Sequence, residues 1–93
     1  MVNEVRASHI LVSTEKEATD LLNQINTGKD FAELARKFSQ CPSGKAGGDL
    51  GFFTRGRMVK EFEDAAFSMA KGGISKPVKT QFGYHLIKVT DTR

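Results

Sequence analysis

The sequence has few residues of the kinds that build disulfides and metal sites. Its 93 residues include one cysteine, two histidines, two prolines and no tryptophan. A single cysteine cannot form a disulfide within the chain. One cysteine and two histidines are too few for the four-ligand zinc sites built from these residues, so we expect no bound metal. No apolar run approaches the length that crosses a bilayer.

Several recognisable motifs are also missing. Neither GxGxxG nor GxxxxGK[ST] occurs, so no phosphate-binding loop and no nucleotide cofactor are indicated. The serine-centred GxSxG elbow is absent. The first twelve residues, MVNEVRASHILV, lack the charged start and long apolar stretch of a signal peptide. The sequence therefore predicts a cytoplasmic location.

The composition is typical of one soluble globular domain. Hydrophobic residues make up 39% and charged residues 27% of the chain. This length supports a single modest core, so we predict one domain over residues 1–93 and a monomer. The net charge is +3, with both signs interleaved and no basic tract interspersed with exposed aromatics, so no specific nucleic-acid partner is indicated. The alternative to a plain mixed surface is weak attraction to an anionic membrane through Lys45, Lys60, Lys71, Lys76 and Lys79.

Apolar residues recur with a period of two in some segments and about 3.6 in others, which predicts both strands and helices. Thr14 and Glu17 have the spacing of a capping box, and Asp30 begins a second helix. The order of elements indicates an α+β fold with a small sheet covered by helices. The first and last strands have the strongest patterns, so we expect both to be central. The predicted segments are 5–12 (strand), 14–39 (two helices joined by a turn), 40–51 (a loop with room for one short helical turn), 52–53 (start of a short strand), 59–70 (helix), 75–79 (edge strand) and 84–90 (strand).

Both histidines lie at apolar positions of strong strands. His9 shares a face with Val5, Ala7 and Leu11, and His85 shares one with Ile87 and Val89. A lone histidine in such a place is usually a core residue with satisfied nitrogens. If the two strands are neighbours, however, the imidazoles could hydrogen-bond each other and fix each other's tautomer. Such a pair could orient a site without acting as acid or base.

Cys41 opens a glycine-rich segment, CPSGKAGGDLGFF, which holds four of the nine glycines. Cysteine–histidine nucleophilic catalysis with either histidine is conceivable, but no local nucleophile signature supports it. A small buried thiol is an equally good interpretation. The two alternatives stay open on these residues alone.

A group of soft or aromatic residues flanks the loops and helix starts. Met and Phe side chains together suit an apolar cup that holds a compact ring. The alternative is ordinary core packing, which is strongest for Phe62 because it lies on a buried helical stripe. The four residues are Leu50, Met58, Phe62 and Phe82.

Four segments together resemble the parvulin family of peptidyl-prolyl cis/trans isomerases. They are ASHILV, CPSGKAGGDLGFFTRGRMVKEFEDAAF, KPV at 76–78 and TQFGYHLIKV, and the resemblance covers essentially the whole chain. It implies the parvulin fold, a four-stranded antiparallel sheet wrapped by about four helices. It also implies isomerisation of X–Pro bonds without cofactor, in peptides and in unfolded or flexible proteins whose folding it assists.

The resemblance further implies which residues form the site. His9 and His85 match the paired histidines, and Thr80 matches a threonine in their hydrogen-bond network. Cys41 matches a position that is Cys in some parvulins and Asp in others. The substrate-binding residues implied are Leu50, Met58 and Phe62 in the proline pocket, Phe82 at its variable edge, and Gln81 beside it.

One departure from the family concerns phosphorylated substrates. The phosphate-reading branch carries an Arg/Lys-rich loop between the first strand and the first helix. Here that connection is Ser13-Thr14-Glu15, with only Lys16 nearby. Because a phosphate before proline needs a cluster of cations, we predict no phospho-specificity. The competing hypothesis is a holdase module that binds proline-containing segments without significant turnover.

Overall fold

Two long antiparallel strands form the centre of the sheet in the computed structural model, which describes residues 3–93. Met1 and Val2, part of the predicted domain, lie outside the described residues. The sheet order is β2-β1-β4-β3 with every neighbouring pair antiparallel, so the first and last strands are central, as predicted. The strands are β1 (Glu4–Val12), β2 (Asp49–Thr54), β3 (Val78–Thr80) and β4 (Gly83–Thr92).

The helices begin at the caps that the sequence indicates. The Thr14 hydroxyl accepts a hydrogen bond from the Glu17 amide at 3.2 Å, and the Asp30 carboxylate accepts one from Glu33 at 3.2 Å. None of the helices among residues 3–93 has the length and apolar character needed to span a membrane. The helices are α1 (Glu15–Asn26), α2 (Phe31–Phe38), α3 (Lys60–Ser68) and a short 3-10 helix (Pro42–Ala46).

Each face of the sheet has its own core, because strand side chains alternate between faces. Ile10 and Leu86 pack with the apolar residues of α1 and α2 on one face. Ile87 and Val89 pack with Phe62 of α3 on the other face. The four-stranded antiparallel sheet with helices around it confirms the predicted α+β class and agrees with the sheet that the family resemblance implies.

Strand β2 begins earlier than predicted, and the expected loop over 40–51 is correspondingly shorter. Asp49 accepts a hydrogen bond from the Gly51 amide at 3.0 Å, and its carboxylate pairs with Arg6 of β1 at 2.6 Å. The register between β1 and β2 shifts between Arg6 and Ser8. This bulge accommodates Gly51, whose backbone lies in the left-handed region, within the strand. The glycine-rich composition of the segment had indicated a loop instead.

The edge strand was predicted over 75–79 but is only Val78–Thr80. Pro77 has no amide hydrogen to donate to β4. Two residues before Pro77, Ser75 bonds β4 through both its side chain and its backbone. The Ile87 backbone amide donates to the Ser75 hydroxyl at 3.0 Å, and the Ser75 backbone amide donates to the Ile87 carbonyl at 2.8 Å. A side chain thus takes the place of one backbone acceptor, which interrupts the regular ladder.

The two ends of the described chain lie side by side. The Glu4 amide donates to the Arg93 carbonyl at 2.7 Å, and the Arg93 amide donates to the Glu4 carbonyl at 2.9 Å. The Arg93 guanidinium also bonds the Glu4 carboxylate at 2.9 Å and lies 3.8 Å from the centre of the Phe52 ring. The first and last strands are therefore joined at their outer ends.

Candidate active site

An open cleft of about 540 Å³ lies on the face of the sheet that α3 covers. It is bounded by residues of β1 and β4, the start of the 3-10 helix, β2 and the beginning of α3. Seven of the residues singled out from the sequence line it together: His9, Cys41, Leu50, Met58, Phe62, Phe82 and His85.

The strand register brings the two histidines together. Leu11 of β1 is paired with His85 of β4, and His9 is paired with Ile87, so the histidines are diagonal neighbours on one face. Their Nδ1 atoms lie 3.0 Å apart, and their rings are nearly parallel, with centroids 5.2 Å apart. The Phe62 ring stands edge-on to both imidazoles, at centroid distances of 5.5 and 5.4 Å. The pair is thus held by strands below and an aromatic ring beside it.

A hydrogen-bond chain continues from His85. Its Nε2 lies 2.7 Å from the Thr80 hydroxyl, which also accepts the Phe82 amide at 3.2 Å. Thr80 is buried at the end of the short β3 strand. The predicted threonine of the network is therefore where it can fix one histidine ring.

On the other side the chain continues from His9. Its Nε2 lies 3.1 Å from the Ser43 hydroxyl, and Ser43 in turn donates to the Cys41 sulfur at 3.3 Å. Ser43 belongs to the 3-10 helix and had not been singled out from the sequence. It stands between the thiol and the imidazole, so the cysteine is linked to the histidine pair through a hydroxyl.

Counting donors and acceptors assigns a direction of proton donation to this series of hydrogen bonds. If Thr80 donates to His85 Nε2, then His85 donates from Nδ1 to His9, and His9 donates from Nε2 to Ser43. Every buried proton then has an acceptor. In the opposite direction the Thr80 hydroxyl proton would have no acceptor among residues 3–93, which is costly in a buried place.

Burial keeps the pair neutral. Desolvation, and secondly the like charge of His85, lower the pKa of His9 from 6.5 to about 4. Desolvation also lowers the pKa of His85. Near pH 7 the imidazoles are therefore hydrogen-bonding groups rather than cations. No cluster of three or more metal-ligating side chains occurs among residues 3–93.

The walls of the cleft are apolar and partly open. Phe82 is 61% exposed, whereas Phe62 is only 2% exposed and lies at the base. Leu50 and Met58 are half-buried between them. Gln81 is exposed in the turn before β4 and does not line the cleft.

Glycine lets the segment after Cys41 press against β1. Gly47 ends the 3-10 helix in the left-handed region, with φ 73°. Gly48 follows with φ 86°, and a Cβ there would collide with the His9 carbonyl oxygen. The His9 amide donates to the Gly48 carbonyl at 2.9 Å. The segment is therefore fixed directly to the strand that carries the first histidine.

Some lining residues were not predicted. Leu11 shares a strand face with His9, so strand periodicity could have indicated it. Arg57 and Val59 flank Met58, but nothing in their spacing marks them. Gln40 lines the cleft because its backbone amide donates to the Leu11 carbonyl at 2.8 Å, a contact between segments that are distant in sequence.

Residues 6–91 match the family model described as the PPIC-type PPIase (rotamase) domain. The chain belongs to this family. The foldase protein PrsA of Geobacillus sp. is 56% identical over 89 residues, which cover 95% of this chain and 32% of that protein. The chain thus spans about a third of the length of the curated relatives it matches.

Two solved structures superpose closely on this domain. A crystal structure of the peptidylprolyl isomerase PrsA from Bacillus anthracis has a TM-score of 0.97 at 47% identity, covering 99% of this chain and 43% of that one. The solution structure of NmPin, the parvulin of Nitrosopumilus maritimus, has a TM-score of 0.89 at 44% identity, covering 98% of this chain and 99% of that one. The predicted membership of the parvulin-type isomerases is therefore confirmed.

Proposed function

We propose that this domain is a non-covalent peptidyl-prolyl isomerase that acts on X–Pro bonds in peptides and in unfolded or flexible protein segments, assisting their folding. The observation that carries the proposal is a buried, hydrogen-bonded histidine pair in an open apolar cleft. Rotation about a peptide bond faces a barrier of about 18–20 kcal/mol, so the uncatalysed X–Pro exchange takes about tens to hundreds of seconds.

The reaction needs binding rather than bond cleavage. The transition state is a twisted amide that has lost its resonance. An apolar cleft removes water from the amide and disfavours the charge-separated planar form. Holding the proline ring while the preceding carbonyl rotates stabilises the twisted form over both planar forms. Lowering the barrier by about 4 kcal/mol would accelerate exchange roughly a thousandfold.

In this proposal Met58, Leu50 and Phe82 contact the proline ring, and Phe62 supports it from the base of the cleft. His9, His85 and Thr80 orient the network beneath the amide. Gln81 contacts the part of the peptide that extends outside the cleft. The half-buried Met58 and exposed Phe82 support this assignment, because they leave apolar surface accessible to a ring.

Cys41 is proposed to supply a polarisable group near the rotating carbonyl. A nucleophilic role would favour a histidine hydrogen-bonded directly to the thiol. Among residues 3–93, the hydrogen bond to the sulfur comes from Ser43, and His9 bonds Ser43 instead. This arrangement favours the non-covalent role.

We also propose that the domain does not select phosphorylated substrates. The connection between β1 and α1 is Ser13-Thr14 and carries no cation, and Lys16 in the first turn of α1 lies 3.9 Å from Asp20. A phosphate near charge −2 calls for several cations. The ratio of kcat/KM for a phosphoserine-Pro peptide to that for its unmodified form should stay below about tenfold, and a larger ratio would overturn this assignment.

NMR exchange spectroscopy on a panel of X–Pro peptides tests the proposal, with Glu, Leu, Lys and phosphoserine at X. Exchange cross-peaks at substoichiometric protein are expected. Met58→Ala should weaken them, whereas Met69→Ala should not, because Met69 packs against the core outside the cleft. Binding without exchange would instead support the holdase hypothesis, which would also leave a proline-limited refolding reaction unaccelerated.

Three further features stay predictions from the sequence. We expect light scattering after size-exclusion chromatography to give the molar mass of a monomer. A cytoplasmic location is expected by fractionation of the cells that make the protein. Weak attraction to anionic membranes through the five lysines would appear as salt-sensitive cosedimentation with anionic vesicles; Lys71 already pairs with Asp91 at 3.6 Å, which reduces its contribution.

A further inference from the structure

Met58, one of the walls of the cleft, lies in a short segment that belongs to neither a strand nor a helix. Strand β2 ends at Thr54 and α3 begins at Lys60. Residues 55–59 therefore lack the support of a regular strand or helix. Met58 nevertheless lines the cleft and packs against the core that contains Phe62. Its place at the rim depends on contacts made by the residues on either side of it.

One residue, Glu63 of α3, is bonded to both flanks of this segment. Its side-chain carboxylate accepts a hydrogen bond from the Gly56 amide, and its backbone amide donates to the Val59 carbonyl at 2.9 Å. Only two residues lie between these points, and Met58 is one of them. Phe62, at the base of the cleft, precedes Glu63 in the same helix. Glu63 thus connects the rim of the cleft directly to its base.

The carboxylate of Glu63 is fixed in this orientation. Its side chain is only 14% exposed, and its second oxygen lies 3.4 Å from the guanidinium of Arg55. That guanidinium in turn lies 4.5 Å from the centre of the Phe67 ring. The Arg55 side chain is 61% exposed, and exposed ion pairs contribute little. The hydrogen bond to the Gly56 amide is therefore the stronger constraint on the turn.

We propose that Glu63 is a positioning residue that holds Met58 in the arrangement that contacts the proline ring. The inference rests on the proposed isomerase function, in which Met58 makes that contact. Without the carboxylate the turn can leave this arrangement, and the substrate then binds only the fraction of molecules that keep it. The apparent dissociation constant rises by the inverse of that fraction. Once the peptide is bound the cleft is complete, so the bound peptide exchanges at the same rate.

Removing the acceptor should therefore weaken binding without slowing isomerisation on the enzyme. One hydrogen bond corresponds to roughly a three- to tenfold change in an equilibrium constant, so the dissociation constant of an X–Pro peptide should rise by that factor in Glu63→Ala. Global destabilisation does not imitate this change while circular dichroism shows the variant to be folded at the assay temperature. Unfolding raises the apparent dissociation constant only by the inverse of the folded fraction.

NMR line-shape analysis of a peptide titration gives the dissociation constant and the exchange rate of the bound peptide separately. Glu63→Gln should restore binding to within about twofold of the wild type, since its amide oxygen can still accept the Gly56 amide. Glu61→Ala is the matched control. Glu61 is exposed and is the other acidic residue in the first turn of α3. Its removal takes the same charge from the same helix end and should leave both quantities unchanged.

The methyl group of Met58 reports its position directly. With methionines labelled at the methyl carbon, the Met58 signal should move towards that of an unfolded peptide in Glu63→Ala and return in Glu63→Gln. Met69, at the end of the same helix and outside the cleft, is the internal reference and should not move. If Glu63→Ala does not fold, Glu63→Asp takes its place, because its carboxylate keeps the charge but is withdrawn from Gly56 by one methylene.

The outcomes separate this inference from the function beneath it. Three results overturn the role of Glu63 and leave the isomerase intact: an unchanged dissociation constant in Glu63→Ala, an equal rise in Glu61→Ala, or no recovery in Glu63→Gln. A slower exchange of the bound peptide with unchanged affinity overturns it as well. If the wild type exchanges no peptide, the isomerase proposal fails, and the methyl signal decides. A Met58 signal that is the same in wild type and Glu63→Ala then overturns the positioning role.

Discussion

Lowering the pH should destabilise the folded domain through its histidine pair before it affects most carboxylates. In the unfolded chain a histidine takes up a proton around pH 6.5, whereas in the folded state the pKa of His9 is about 4. Between these values the unfolded chain holds more protons than the folded one. The free energy of unfolding therefore rises with pH between about 4 and 6.5. The contribution of His9 to that free energy is lost as the pH falls through this window.

The size of the effect follows from the same difference. Each unit of pKa corresponds to about 1.36 kcal/mol, so His9 alone accounts for about 2 kcal/mol between pH 7 and pH 5 and about 3 kcal/mol by pH 4. The lowered pKa of His85 acts in the same direction. Protonation also breaks the chain of hydrogen bonds, because both Nδ1 atoms of a charged pair would be donors.

Urea unfolding followed by far-ultraviolet circular dichroism measures this loss, since the chain has no tryptophan to report by fluorescence. Asp49→Asn is the control. Pairing with Arg6 lowers the pKa of Asp49 below its ordinary value of 3.8, so the contribution of Asp49 to stability is lost only below that pH. In Asp49→Asn the free energy of unfolding should therefore change between pH 7 and 5 by the same amount as in the wild type. An unfolding free energy that is constant from pH 7 to 5, or imidazole NMR signals that titrate near pH 6.5, would refute the reasoning.

Four substitutions probe other parts of the site. Gly48→Ala should lower the free energy of unfolding by more than about 2 kcal/mol in a denaturation experiment, because its Cβ would meet the His9 carbonyl oxygen in a left-handed conformation; an unchanged midpoint would contradict this. Phe62→Ala should cost about 3–5 kcal/mol of stability as well as activity, whereas Met58→Ala should reduce kcat/KM roughly tenfold with a smaller loss of stability; equal stability losses would argue that Met58 is only a core residue. Cys41→Asp should keep measurable exchange, and complete loss in a folded variant would favour a thiol-dependent mechanism.

The histidine pair could be predicted because strand geometry determines it. Alternation along β1 and β4 places His9 and His85 on the same face once the strands are known to be neighbours. The caps at Thr14 and Asp30 were likewise readable, since each depends on residues three positions apart. Local periodicity therefore accounts for the helices, the central strands and the base of the cleft.

The rim of the cleft could not be predicted in the same way. Ser43 reaches His9 only because Gly48 presses the 3-10 segment onto β1, a contact between residues far apart in sequence. Arg57 faces the cleft because Glu63 holds the turn before it. The start of β2 depends on the pairing of Asp49 with Arg6. These positions follow from tertiary contacts that no local pattern encodes.

The pairing of Glu4 with Arg93 has a consequence for engineering. Because the two ends of the described chain meet at hydrogen-bond distance, a short linker could join them and new ends could be opened in an exposed turn, such as the one around Gly56. Circular permutation and insertion into a host loop are tolerated best where ends are adjacent and cuts fall on exposed turns. Opening the chain there would also detach Arg57 from the turn that holds it, while leaving the histidine strands continuous.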